Sequence, residues 1–223
     1  EIQHFKHSGG KPSKEEFDHF MLKEIHEQPQ VLKDAIDQYT SAPLAIDSNI
    51  LAQLESIEII ACGSSYNAGY VAYYWIKKIL QIPCMLDFAS EYRYLEQTPA
   101  KNCLLIVISQ SGETADTLSA LRKAKKLPYL ASLAICNNAN SSLARESDST
   151  LLTPAGSEIS VAATKSFTAQ LFGLPHIVMQ IARAKKLPAK WHTQLESNLN
   201  HLPEIITDYL VLAQTIQDKC VNE

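Results

Sequence analysis

Glycine is scarce in this chain, with seven among 223 residues. A basic excess is also missing: 20 Lys and Arg stand against 24 Asp and Glu, a net charge of −4. Nucleic-acid binding therefore has no electrostatic footprint here. No apolar run approaches membrane-spanning length and no signal-peptide pattern opens the chain, so neither a membrane partner nor export is expected. The five cysteines are odd in number and form no Cys-x-x-Cys pair. Cys62, Cys84, Cys103 and Cys136 sit in or beside apolar runs, where a free thiol behaves as a small hydrophobe. A disulfide framework and structural zinc are both disfavoured, and a reducing, cytoplasmic setting is expected. The seven histidines show no ligand spacing, so no metal or other cofactor is expected. Internal repeats and low-complexity segments are absent. The chain opens on Glu1 rather than Met and reads as a piece of a longer one.

What is present is a core. Apolar residues make up 46% of the chain, enough to exclude disordered and fibrous classes. The most informative stretch runs from Cys103 to Thr117. Its opening Cys-Leu-Leu-Ile-Val-Ile is short and β-branched, the pattern of a strand buried on both faces. Ser109-Gln110-Ser111-Gly112-Glu113-Thr114 follows, then a helical pattern from Ala115 to Lys126. A strand, a small polar turn and a helix start form an anion site, because backbone N–H groups and the positive helix end converge there.

The same alternation extends from Ile57 onward. Strands are expected at Ile57–Ala61, Cys84–Phe88, Leu130–Cys136 and Thr150–Thr153. Helices are expected near Asn67–Leu80, Ser90–Leu95, Ser141–Glu146 and Ala162–Ala184, with a kink at Pro175. Before them, a capping-box pattern at Ser13 to Glu16 predicts a helix running to about Glu27, and apolar spacing continues past Pro29. After them, two helices are expected, near Ala189–Asn200 and Pro203–Lys219. Strands joined by single helices require crossovers, which predicts an α/β fold with a five-stranded parallel sheet. The expectation is a flavodoxin-like three-layer sandwich, strand order 2-1-3-4-5, with extra N- and C-terminal helices.

Ligands of such sheets bind where the strand order reverses, at the carboxyl ends of strands one and three. Strand one ends in Cys62-Gly63-Ser64-Ser65, so two serine-rich turns meet there. Gly63, Gly112 and Gly156 each follow a strand end, which suits close approach of backbone to ligand. Neither turn holds Lys or Arg, so a phosphate would be gripped by neutral donors and helix ends. Glu113 is expected to bond N–H groups at its helix start. Other readings of these residues compete. Ser111 sits like a hydrolase nucleophile, but Ser109 occupies the position where that motif needs Gly, and His176, His192 and His201 lie on helical stretches. Cys62 stands at a helix start, where a thiol pKa falls, although a buried strand-end role is commoner. Lys165 is either a ligand contact or an exposed helix charge, with the balance toward the latter.

The two turns resemble the signature loops of sugar isomerase (SIS) domains, and more narrowly those of the isomerizing glutamine–fructose-6-phosphate aminotransferases. Further matches are His19 to Ile25 with Glu27-Gln28-Pro29, Ser90 to Tyr94, Leu133 to Asn137, and Glu158 with Val161 to Phe167. The resemblance covers nearly everything from Asp18 to Thr168. It implies a parent enzyme with a glutaminase domain and two SIS domains, a homodimer that makes glucosamine 6-phosphate from fructose 6-phosphate. Carried over residue by residue, it assigns phosphate contacts to Ser65, Ser109, Gln110, Ser111 and Thr114, with backbone near Val161 lining the sugar. Ser64 stands where relatives commonly have Thr. The catalytic lysine, glutamate and histidine of the family belong to segments outside this sequence, so no catalytic residue is expected in it. The implied division is a linker over 1–16, a helical lead-in over 17–45, the SIS domain over 46–185 and a helical connection over 186–223.

Overall fold

The computed structural model describes residues 13–41, 44–188 and 190–221. Most of the expected 1–16 linker and the expected helix start at Ala189 lie outside the described residues. The apolar runs form five parallel strands: β1 (Ser56–Ala61), β2 (Cys84–Phe88), β3 (Cys103–Ile108), β4 (Ala131–Cys136) and β5 (Ser149–Leu152). Their order is β2-β1-β3-β4-β5, as expected. β1 and β3 are buried at every position, because helices cover both faces of the sheet.

On one face Ile57, Ile59 and Ala61 pack with Leu104, Ile106 and Ile108. That layer contains α2 (Gln28–Ser41), α3 (Ser48–Gln53), α4 (Gly63–Trp75) and α8 (Lys165–Ala184). On the other face Ile60, Leu105 and Val107 meet α5 (Ala89–Tyr92), α6 (Ala115–Ala124) and α7 (Ser142–Glu146). Each such Ile or Leu, fully buried, stabilises the fold by about 1.5–3 kcal/mol relative to exposure. α1 (Phe20–His26) leads in, and α9 (Lys190–Val221) packs against α2 and α8.

Several helix limits differ from expectation, each for a local reason. Ser13 does not cap a helix: its Oγ accepts the Glu15 N–H at 3.2 Å, and Glu15 turns left-handed at φ 55°. The helix therefore starts only at Phe20. Pro29 lies inside α2, in its first turn, where a missing N–H costs nothing. The helix after β1 begins at Gly63 rather than Asn67, and it closes through a π-helical turn over Ile76–Leu80 that ends at left-handed Gln81. α8 begins at Lys165, three residues later than expected, and continues through Pro175. The two expected C-terminal helices are one, because α9 continues through Pro203. The Thr207 hydroxyl donates to the Pro203 carbonyl at 2.8 Å there. The short α3, capped by Asp47 accepting the Asn49 N–H at 2.8 Å, had no counterpart in the pattern reading.

Among the described residues, no helix is long and apolar enough to cross a membrane. Cys62, Cys84, Cys103 and Cys136 are free thiols.

Candidate functional site

β1 and β3 lie side by side, with Ala61 opposite Ile108 at their carboxyl ends. From there the chain turns to opposite faces, into α4 after β1 and toward α6 after β3. The divergence opens a crevice between the two turns. Gly63 makes the first turn possible at φ 57°, and nothing lies within 4 Å of where a Cβ would stand. No side chain caps α4, whose Tyr66 N–H reaches back to the Cys62 carbonyl at 3.3 Å. The N–H groups of Gly63, Ser64 and Ser65 therefore lack intrahelical partners. Ser64 is exposed and Ser65 buried. Among the described residues neither hydroxyl has a partner.

The second turn is pinned on several sides. The Ser109 N–H donates to the Ile135 carbonyl at 3.0 Å, and the Asn137 N–H donates to the Gln110 carbonyl at 2.9 Å. Ser109 Oγ accepts the Gly112 N–H at 3.1 Å and lies 2.8 Å from Thr114 Oγ1. Gly112 is left-handed at φ 68°, and a Cβ there would fall 2.2 Å from Ser141 Oγ. Its carbonyl accepts the Leu143 N–H at 3.0 Å, which ties the turn to α7. Ser111 Oγ accepts the Glu113 N–H at 3.1 Å and keeps its own proton to donate. Thr114 is the N-cap of α6, yet its hydroxyl caps nothing, so this first turn is open as well.

The crevice thus gathers hydroxyls, N–H groups and two positive helix ends, without a cation in either turn. Its acidic neighbours are occupied. Asp116, in the first turn of α6, pairs with Arg93 at 2.6 Å. Glu113 bonds a helix start, as expected, but that of α7 rather than of its own helix: it accepts the Ser142 N–H at 2.7 Å. That bond holds its carboxyl below the usual range and directs its charge away from the turn.

Acid–base chemistry finds no support at these turns. His176 is buried in α8, its ring 4.9 Å from Tyr39, and burial pushes its pKa down to about 4. His201 lies on α9 with its ring against the Ser197 carbonyl, and the side chain of His192 lies outside the described residues. Among the described residues no nucleophile–base pair forms at Ser111, whose oxygen instead closes its own turn.

The loop from β5 to α8 forms a third segment at this end of the sheet. Val161 at its tip is fully exposed, 107% relative to a free residue. It lines a shallow apolar cleft with His19, Met21 and Leu22, and it makes no described hydrogen bond to either serine turn. Asn137 is the bridge. Its Oδ1 accepts the Ala155 N–H at 3.0 Å and its amide donates to the Gly156 carbonyl, while its backbone holds Gln110. Glu158 accepts the Thr164 N–H at 2.9 Å and the Ser166 hydroxyl, fastening the loop's far end. Glu24 holds the middle, as described below.

Lys165 departs from its reading as an exposed charge. It is 5% exposed, and its Nζ pairs with Glu27 Oε2 at 2.6 Å. A cleft of about 380 Å³ lies beside this pair, lined by Lys23, Glu24, Glu27, Gly156 and Lys165 among others, and contains neither serine turn. Asn137, Arg93, Glu24 and Glu27 are the functional-end residues that pattern reading left without a role. Each lies in a motif of the resemblance, and that was their only signal.

The fold and the paired turns define a doubly wound α/β domain with two serine-rich turns side by side at its switch point. Residues 50–178 match the SIS domain family, and the chain belongs to that family. It is 44% identical over 220 residues to the glutamine–fructose-6-phosphate aminotransferase [isomerizing] of Pseudomonas aeruginosa, a match that spans 95% of this chain. With the enzyme of the same name from Yersinia pseudotuberculosis the identity is 46% over 206 residues, 89% of this chain. The chain spans about a third of the length of these curated relatives, 36% and 34%. Its structure resembles the C-terminal domain of glucosamine-fructose-6-phosphate aminotransferase from Francisella tularensis. That comparison has a TM-score of 0.87 and 40% identity, covering 93% of this chain and 60% of the other.

Proposed function

We propose that this chain is the first SIS domain, with its helical lead-in, of an isomerizing glutamine–fructose-6-phosphate aminotransferase. It binds the phosphate of fructose 6-phosphate or glucosamine 6-phosphate. Ser65, Ser109, Gln110, Ser111 and Thr114 grip the phosphate with Ser64 beside them, and the backbone at Val161 lines the sugar. The full-length enzyme is a cytoplasmic homodimer. The observation that carries the reading is the pair of helix starts without side-chain caps, α4 and α6, opening on one crevice. α1, α5 and α8 also start without side-chain caps; what distinguishes α4 and α6 is that their unpartnered N–H groups open side by side at the switch point. Two open starts, with the unpartnered Ser64 and Ser65 hydroxyls beside the first and the Ser111 proton beside the second, suit an anion that supplies the missing acceptors. Neutral donors suit a substrate that must leave again, each charge-assisted bond contributing about 1.5–3 kcal/mol.

On this reading the chain holds substrate and does not convert it, because among the described residues no acid–base pair or free amine faces the crevice; Lys165 is tied to Glu27. Titration calorimetry with fructose 6-phosphate tests the site. Replacing Ser109, Ser111 and Thr114 together by Ala is expected to abolish binding while the circular dichroism spectrum survives. Unchanged affinity would overturn the assignment, and glucosamine 6-phosphate formed from fructose 6-phosphate and ammonia by this chain would overturn the division of labour.

A further inference from the structure

Glu24 is 2% exposed, and its carboxylate points from α1 into the β5–α8 loop. Its Oε1 accepts the Ile159 N–H at 2.5 Å and the Ser160 N–H at 3.2 Å, and its Oε2 accepts the Ser160 hydroxyl. Ile159 lies 135 residues away in sequence. A loop has little reason of its own to hold one conformation, and two adjacent N–H groups aimed at one buried carboxylate supply that reason. Nearby groups reinforce the arrangement. Glu27, one turn beyond Glu24, pairs with Lys165 at the start of α8, and Gln28 accepts the Thr168 hydroxyl at 2.5 Å. The lead-in helices therefore clamp both the middle of the loop and the helix that follows it.

We propose that Glu24 is a positioning residue of the sugar-phosphate site, fixing Ile159 and Ser160 so that Val161 is presented to the sugar. The inference rests on the proposed sugar-phosphate reading. Among the described residues, the hydrogen bonds that join the loop to the second serine turn run through Asn137, which holds the near end of the loop at Ala155 and Gly156. The far end hangs on Glu158. Between them the tip depends on Glu24, so loss of its carboxylate frees the sugar-facing segment and leaves Ser109 to Thr114 pinned as before.

This division predicts selectivity that a general loss of folding would not produce. The chain is titrated with fructose 6-phosphate and, separately, with inorganic phosphate. Glu24→Ala is expected to weaken fructose 6-phosphate by up to about tenfold, the loss of one neutral backbone contact to the sugar. Its affinity for inorganic phosphate should stay within about twofold, as for a site without shared partners. If Glu24→Ala does not fold, Glu24→Gln keeps the shape and one acceptor for the Ile159 N–H, and an intermediate loss confined to the sugar phosphate is expected. Equal losses for both ligands, or none for either, would overturn the positioning role. Failure of the unsubstituted chain to bind either ligand would overturn the site reading itself, and the inference with it.

Discussion

Glu58 shows how much a single side chain can set the behaviour of a buried sheet. It sits on β1 at 1% exposure, accepts the Tyr129 hydroxyl at 2.7 Å through Oε2, and leaves Oε1 without a partner. Tyr129 in turn lies 2.8 Å from the Tyr92 hydroxyl. Burial raises the Glu58 pKa first, the Tyr129 bond opposes this, and the neighbouring Asp87 adds to the rise. A carboxyl whose folded pKa is raised favours folding while protonated. Its contribution is complete below the unfolded value near 4.5 and is lost as pH climbs through the folded value. Glu58→Gln removes that dependence. Urea midpoints of the two proteins should therefore diverge in favour of the variant from pH 4 to pH 8, whereas parallel profiles would show that Glu58 is not charged at a cost. Lys165 carries a second lesson at this scale. A lysine opening an amphipathic helix reads as solvated, because its partner Glu27 is 138 residues distant and no local pattern announces it.

At the scale of elements, the strands were legible and the helix ends were less so. Five short apolar runs separated by single helices leave few topologies, since parallel neighbours require crossovers and crossovers put helices on both faces. Helix limits depend instead on individual bonds. The Ser13 hydroxyl bonded the nearer N–H of Glu15, and Pro203 was absorbed into α9. At the candidate site, the meeting of the two serine turns was legible, because each follows the end of one of the two strands flanking the switch point. The clamp of Glu24, Glu27 and Asn137 was not, because it joins segments that only folding brings together. The turn at Gly112 belongs to this scale too, since it is where the second serine turn packs on α7. A Cβ at Gly112 meets both the Oγ and the Cβ of Ser141, the latter at 2.4 Å, in a left-handed backbone. Gly112→Ala is expected to destabilise the fold by about 2–4 kcal/mol, combining overpacking with φ strain. Gly63→Ala has open space and only the strain, about 1–2 kcal/mol. Thermal or urea denaturation separates the two, and equal losses would show that contact with Ser141 is not what makes Gly112 necessary.

Across the whole molecule, the two layers do different work. One buries α4 and α8 against the sheet and anchors the lead-in and α9; the other carries α6 and α7, which fix the second serine turn. The crevice lies where the layers part, so the stability of both faces sets its geometry. All of its identified donors are neutral, and the nearest acids are turned aside by Arg93 and by the start of α7. On the proposed reading phosphate sits between these two turns and not in the cleft beside Glu27 and Lys165. Amide chemical shifts of the chain titrated with fructose 6-phosphate test it directly. The largest changes are expected at Gly63 to Ser65 and from Ser109 to Thr117. Changes confined to Glu24, Glu27, Gly156 and Lys165, with both serine turns silent, would contradict it.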